Sequence, residues 1–143
     1  IADASNINIK DIINKKIKRR ENFRPFAPAI LHEHKNDWFN TDFFNPYMST
    51  VESIKEEKKH LIPGVTHVDG TGRVQSVSKE YNKDFYDLIT EFYKISKVPI
   101  LLNTSFNENE PIVFNPSQAI DCFERTDMDA IILENYLIEK YNF

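Results

Sequence analysis

The chain has a single cysteine, Cys122. No intrachain disulfide can form, and a reducing cytoplasm is the simplest compartment for such a protein. No apolar run is long enough to cross a bilayer as a helix, and no signal-peptide pattern opens the chain. Positive charge is not in excess: 18 Lys and Arg stand against 22 Asp and Glu, a formal net charge of -4. That balance gives no support to non-specific nucleic-acid binding. There is no P-loop, no dinucleotide-binding glycine fingerprint, no catalytic triad and no metal cage. His32 and His34 stand two apart, with no Cys partner and no i, i+4 spacing, so they read as surface histidines. The first residue is Ile1 rather than Met, and the chain is read as a piece of something longer.

What is present fits one ordinary domain: 143 residues, enough to bury a real core. Ile9, Ile12, Ile13 and Ile17 fall at helical spacing, which predicts an amphipathic helix over residues 6–17. "FRPFAPAIL" follows, and its two prolines favour an edge or irregular strand. "HEHKNDWFNTDFFNPYMS" reads as a loop leading into a short strand near Tyr47 to Val51, and "ESIKEEKKH" as a solvated stretch. "VTHVDGTGRVQSV" predicts two short strands around Asp69-Gly70-Thr71-Gly72. Phe85, Leu88, Ile89 and Phe92 predict a helix capped by Asn82, with all four side chains buried against the sheet beside "PILL". "VPILLNTS" is a core strand. Asn115-Pro116-Ser117-Gln118 is a helix start, and "AIIL" and "YLIEKY" end the chain as strands. Helices interspersed with strands point to an α/β or α+β sheet fold.

Three groups can do chemistry. Lys15, Lys16, Lys18, Arg19 and Arg20 follow the first helix, where cations complement the helix dipole and stay solvated. If the chain continues extended, Lys18 and Arg20 instead point to one side as a two-pronged anion clamp. In "THVDGTGR", Asp-Gly is a tight-turn signal; alternatively Thr66, His67, Asp69, Thr71 and Arg73 surround a phosphate or nucleotide. Last, the apolar run Val98 to Leu102 ends in Asn103-Thr104-Ser105-Phe106-Asn107. Ser105 and Asn107 either cap a turn or hold acyl-phosphate or phosphate oxygens.

"IKRRENFRPFAPAIL", "PYM", "IPGVTHVDGTGRVQSV", "FYDLITEFYKISKVPILLNTSFNENEPIV" and "AIDCFERTDMDAIIL" together resemble the C-terminal domain of the O-carbamoyltransferases, the family of the nodulation-factor, cephamycin and tobramycin carbamoyltransferases. The resemblance covers nearly the whole chain. It implies a YrdC-like fold over residues 1–143: a single domain with a twisted mixed sheet, flanking helices and a concave ligand-binding surface. The Lys-x-Arg and Ser-x-Asn pairs of such folds match Lys18-Arg19-Arg20 and Ser105-Phe106-Asn107. By resemblance, this domain joins ATP and carbamoyl phosphate to make carbamoyl-adenylate. A Kae1-like N-terminal domain, absent from this chain, then passes the carbamoyl group to an acceptor hydroxyl. The resemblance implies catalytic roles for Lys18, Arg20, Arg73 and Ser105. It implies substrate or nucleotide contacts for Thr66, His67, Asp69, Thr71, Asn103 and Asn107. It also implies Mg²⁺ accompanying ATP, and Fe²⁺ only in the N-terminal domain. Lys18, Arg20, Arg73, Ser105 and Asn107 are expected to converge on one concave surface. The competing reading is a non-catalytic RNA- or nucleotide-binding module of the same fold, against which the acidic balance argues.

Overall fold

A computed structural model describes residues 1–140. The chain divides into two compact units, one of residues 1–10 and 25–104, the other of residues 11–24 and 105 onward. The fold class is mixed α/β, with a mixed sheet and packed helices as expected.

The first unit is built on a four-stranded sheet. Its strands are β1 (Ala2–Asp3), β2 (Ala27–Leu31), β5 (Gln75–Val77) and β6 (Ile100–Asn103), in the order β1-β6-β2-β5. β2 runs antiparallel to β6 and parallel to β5. The "FRPFAPAIL" segment is therefore not an edge. β2 is central, and all five of its residues are buried. Pro28 lies within the antiparallel ladder, opposite Leu102, but precedes the parallel one, which starts at Ala29 opposite Gln75; a proline ahead of a ladder withholds no N–H from it. A short pair, β3 (Glu52–Ser53) and β4 (Thr71–Gly72), lies antiparallel in the same unit.

The predicted helix after Asn82 is α3, Lys83–Ser96. Asn82 caps it, its side-chain oxygen accepting from the Phe85 N–H at 3.1 Å. Ile89 is fully buried against Ala29, Leu31, Val77 and Leu101, with Phe85, Tyr86, Phe92 and Tyr93 partly buried around it. Leu88, expected inside, is 40% exposed. The buried stripe runs through Phe85, Ile89 and Phe92 and widens toward Tyr86 and Tyr93, leaving Leu88 off its edge.

Other expectations are corrected here. The stretch after β2 is helical rather than a loop: a 3₁₀ turn, His32–His34, runs into α2, Lys35–Trp38. No strand forms at Tyr47 to Val51; the short strand is β3. "ESIKEEKKH" is solvated only in part. Its Glu56–Leu61 turn has no buried residue, but Ile54 is buried and Glu52 forms an ion pair with the fully buried Lys35 at 2.8 Å. β4 and β5 do not pair with each other but join different sheets.

The second unit holds α4, Pro116–Arg125, and the hairpin β7 (Ala130–Leu133) and β8 (Tyr136–Glu139). Asn115 caps α4 as its sequence predicts, accepting from the Gln118 N–H at 2.9 Å. Ala119, Phe123 and Ile131 form the core, with Phe106, Val113, Met128 and Leu133 against it. Of the strand expected over "YLIEKY", Tyr141 lies outside the described residues. The predicted first helix starts at Ile9 rather than Asn6, and only its first part is α-helical. α1 spans Ile9–Ile12 and passes into a π-helical turn, Ile13–Ile17. Among the described residues no helix is long and apolar enough to cross a membrane.

Candidate active site

The π-helical turn decides where the "KRR" cations go. Its widened ring is closed by the Lys18 N–H on the Ile13 carbonyl at 2.8 Å. Lys18 keeps helical angles (φ -84, ψ -18), and Arg19 then reverses the chain at φ 43, a left-handed conformation. Arg20 N–H returns to the Asn14 carbonyl at 2.9 Å. This is a helix C-cap widened by one residue. A non-glycine residue pays roughly 1–2 kcal/mol for the left-handed region. The extended conformation that would align Lys18 and Arg20 as prongs is therefore not adopted. Arg19 turns to Glu108 at 3.1 Å and to the Arg125 carbonyl at 2.8 Å.

Lys18 is 2% exposed, and the oxygens that hold its ammonium are uncharged. Its ammonium donates to the Ser105 carbonyl at 2.6 Å, the Asn107 carbonyl at 2.7 Å and Asn107 Oδ1 at 2.8 Å. Those three bonds use its three protons. Ser105 Oγ lies farther off, at 3.4 Å from Nζ, and gives its own proton to Asn107 Oδ1 at 2.6 Å. Asn107 Nδ2 is fixed on the Glu110 carbonyl at 2.6 Å. The polar residues that follow the apolar strand thus have a local purpose: Ser105 and Asn107 build a socket of neutral oxygens around a buried cation. Neutral acceptors hold an ammonium in place without cancelling its charge. Burial pushes Lys18 down to about 8 from 10.5, and Arg20 pushes in the same direction. Charge on the node is costly to keep, and an arriving anion would relieve that cost.

Arg20 is anchored on the same turn. Its Nε donates to Asn14 Oδ1 at 2.8 Å. Burial, and secondarily Arg24, lower its affinity for its proton. Asn14 is fully buried, and its Nδ2 donates to the carbonyls of Arg24 at 3.1 Å and Asn22 at 3.4 Å. Sequence reasoning passed over Asn14. The available signal was its spacing: Asn14 and Lys18, four apart, share a helix face, and a polar residue there has to be hydrogen-bonded.

The remaining predicted residues belong to the first unit. Thr66 Oγ1 donates to the Ile62 carbonyl at 2.9 Å, and its own carbonyl accepts from Lys10 Nζ at 3.1 Å. His67, Asp69 and Thr71 come together on the turn. Thr71 Oγ1 lies 2.6 Å from Asp69 Oδ1 and 3.2 Å from His67 Nδ1. Gly70 takes φ 79 there. The Thr71 hydroxyl and N–H hold the exposed Asp69 carboxyl below its usual range, while burial lowers His67. Arg73 is exposed. Asn103, at the end of β6, donates to Gln75 Oε1 at 2.8 Å. The structure thus brings Lys18, Ser105 and Asn107 into one socket and His67, Asp69 and Thr71 into another cluster.

A family model described as carbamoyltransferase C-terminus matches residues 1–140. The chain belongs to this carbamoyltransferase C-terminal family. It is 44% identical over 144 residues to nodulation protein NolNO of Sinorhizobium fredii, a match covering 98% of this chain and 21% of that protein. Nodulation protein NolO of Bradyrhizobium diazoefficiens is 42% identical over 144 residues, covering 98% of this chain and 26% of the relative. Nodulation protein U of Rhizobium tropici is 36% identical over 107 residues, covering 75% and 18%. The chain therefore spans about a fifth to a quarter of the length of these curated relatives.

Proposed function

We propose that this carbamoyltransferase C-terminal chain serves an ATP-dependent O-carbamoyltransferase, binding ATP and carbamoyl phosphate and forming carbamoyl-adenylate. The carbamoyl group then passes to an acceptor hydroxyl in an N-terminal domain of the same polypeptide. The observation that carries the reading is the Lys18 socket: a buried ammonium held by uncharged oxygens, with the Ser-x-Asn pair around it. A surface lysine that merely complements a helix dipole needs no such enclosure.

The chemistry balances as carbamoyl phosphate, ATP and water giving carbamoyl-adenylate, pyrophosphate and inorganic phosphate. Every reactant but water is an anion, so the residues' task is to gather and neutralise charge. In this reading a phosphate oxygen entering beside Lys18 competes with Asn107 Oδ1 for one ammonium proton and for the Ser105 hydroxyl proton. Both donors are then aimed at the anion with little reorganisation. Arg20 flanks the same charge from its anchor on Asn14. Within their own unit, family resemblance assigns substrate or nucleotide contacts to Thr66, His67, Asp69, Thr71 and Asn103, and a catalytic role to Arg73. Mg²⁺ would arrive on the nucleotide, for among the described residues no group of three or more His, Cys, Asp or Glu side chains can hold a metal.

The test is pyrophosphate release from ATP by the full-length protein, with and without carbamoyl phosphate. Carbamoyl-phosphate-dependent release that falls at least a hundredfold in Ser105→Ala is the expected result, because a donor placed against developing charge is worth about that much. Release that ignores carbamoyl phosphate, or that Ser105→Ala leaves intact, overturns the reading.

A further inference from the structure

We infer that Asn14 is a positioning residue for ligand binding, acting through Arg20. The inference rests on the proposed role of Arg20 in anion binding and goes beyond it by naming what sets that guanidinium.

Asn14 grips Arg20 twice. Its main-chain carbonyl accepts the Arg20 N–H at 2.9 Å, and its side-chain Oδ1 accepts Arg20 Nε–H at 2.8 Å. One residue thus fixes both the backbone and the head group of another, six positions later. The double grip exists only because the helix widens into a π turn and Arg19 takes the left-handed conformation. An ordinary α-helical cap would return Arg20 N–H to residue 15 instead. π-helical turns carry a strain that often coincides with functional sites. Here the strained turn delivers two neighbouring cations in different states: Lys18 in its socket of oxygens, Arg20 against Asn14.

The amide of Asn14 cannot rotate to do otherwise. Its Nδ2 is committed to the carbonyls of Arg24 and Asn22, which fixes Oδ1 as the acceptor facing Arg20. The side chain is fully buried, so water does not compete for these bonds. A guanidinium pinned at Nε has its plane set before any ligand arrives. That is the preorganisation a forked anion contact needs, since a long free arginine loses rotamer freedom on binding.

The experiment is a double-mutant cycle in the full-length protein, with KM for ATP and for carbamoyl phosphate measured in wild type, Asn14→Ala, Arg20→Lys and the double mutant. Asn14→Ala should raise at least one KM about tenfold, the scale of a lost hydrogen bond to a charged group. In the Arg20→Lys background, which has no Nε, it should add little. An equal KM rise in both backgrounds shows that Asn14 acts independently of Arg20 and overturns the inference, while leaving the site reading intact. If Arg20→Lys alone changes neither KM, the site reading falls and the inference with it. A second measurement needs no variant and covers the case in which Asn14→Ala does not fold. Nitrogen-detected NMR of the wild-type chain should show the Arg20 Nε–H exchanging with water at least tenfold more slowly than that of the exposed Arg73. Equal exchange would mean that the Nε anchor is not held in solution, and would overturn the inference.

Discussion

Replacing Lys18 by Met keeps the aliphatic stem and removes the charge, so it isolates what the buried ammonium costs the fold. Burial lowers Lys18 to about 8 in the folded chain, from 10.5. Well below pH 8 the amine is protonated in both folded and unfolded states, and its titration adds no pH dependence. Between 8 and 10.5 the folded state releases its proton first, so the unfolded state binds more protons and stability rises with pH. At pH 9 the two values give a gain of about 1 kcal/mol for wild type over its own stability at pH 6.5, and the gain approaches about 3 kcal/mol above the unfolded value. Lys18→Met has no such group. All other titrations are shared and cancel in the comparison. Urea unfolding of both proteins at pH 6.5 and pH 9 therefore measures this one residue. The stability difference, wild type minus Lys18→Met, should move in favour of wild type by about 1 kcal/mol. A difference that stays constant, or moves toward the mutant as pH rises, would show that the socket offsets or outweighs the cost of burying the ammonium. The argument that an arriving anion relieves a cost would then fail.

Five substitutions probe packing, backbone conformation and capping. Ile89→Ala should cost about 2–5 kcal/mol because the side chain is fully buried. Leu88→Ala, on the same helix but outside the stripe, should stay within about 0.5–1 kcal/mol in the same thermal or urea melts. Arg19→Val should lose roughly 1–2 kcal/mol, since a branched side chain suits the left-handed region poorly, while Arg19→Gly should be nearly neutral. Asn115→Ala should lose about 1 kcal/mol with the cap of α4, read in the same melts.

Local signals in the sequence were strong where one element could satisfy itself. The Asn82 and Asn115 caps and the helices they start are read correctly from a few residues, because capping is a contact between near neighbours. The apolar run after Val98 is likewise a buried strand. What failed depends on distant partners. Pro28 argued for an edge, but whether a proline costs a ladder bond depends on where the neighbouring strand begins. The periodicity of Ile9, Ile12, Ile13 and Ile17 is helical in type, yet it cannot distinguish an α turn from a π turn, whose difference is one hydrogen-bond register. That register also decided the fate of "KRR". The Ser-x-Asn pair was singled out by its polarity at the end of a strand. Its bonds to Lys18, nearly ninety positions earlier in the chain, are a tertiary fact that spacing does not contain.

The central claim is that Lys18 is the cation of an ATP site. Calorimetric titration of the chain with ATP, for wild type and Lys18→Ala at pH 7, tests it most directly. Wild type should bind weakly and measurably. Lys18→Ala should lose that binding, at a cost of about 2–5 kcal/mol for a buried charge whose partner is removed. If Lys18→Ala binds ATP as tightly as wild type does, the socket is a structural device and the claim is contradicted.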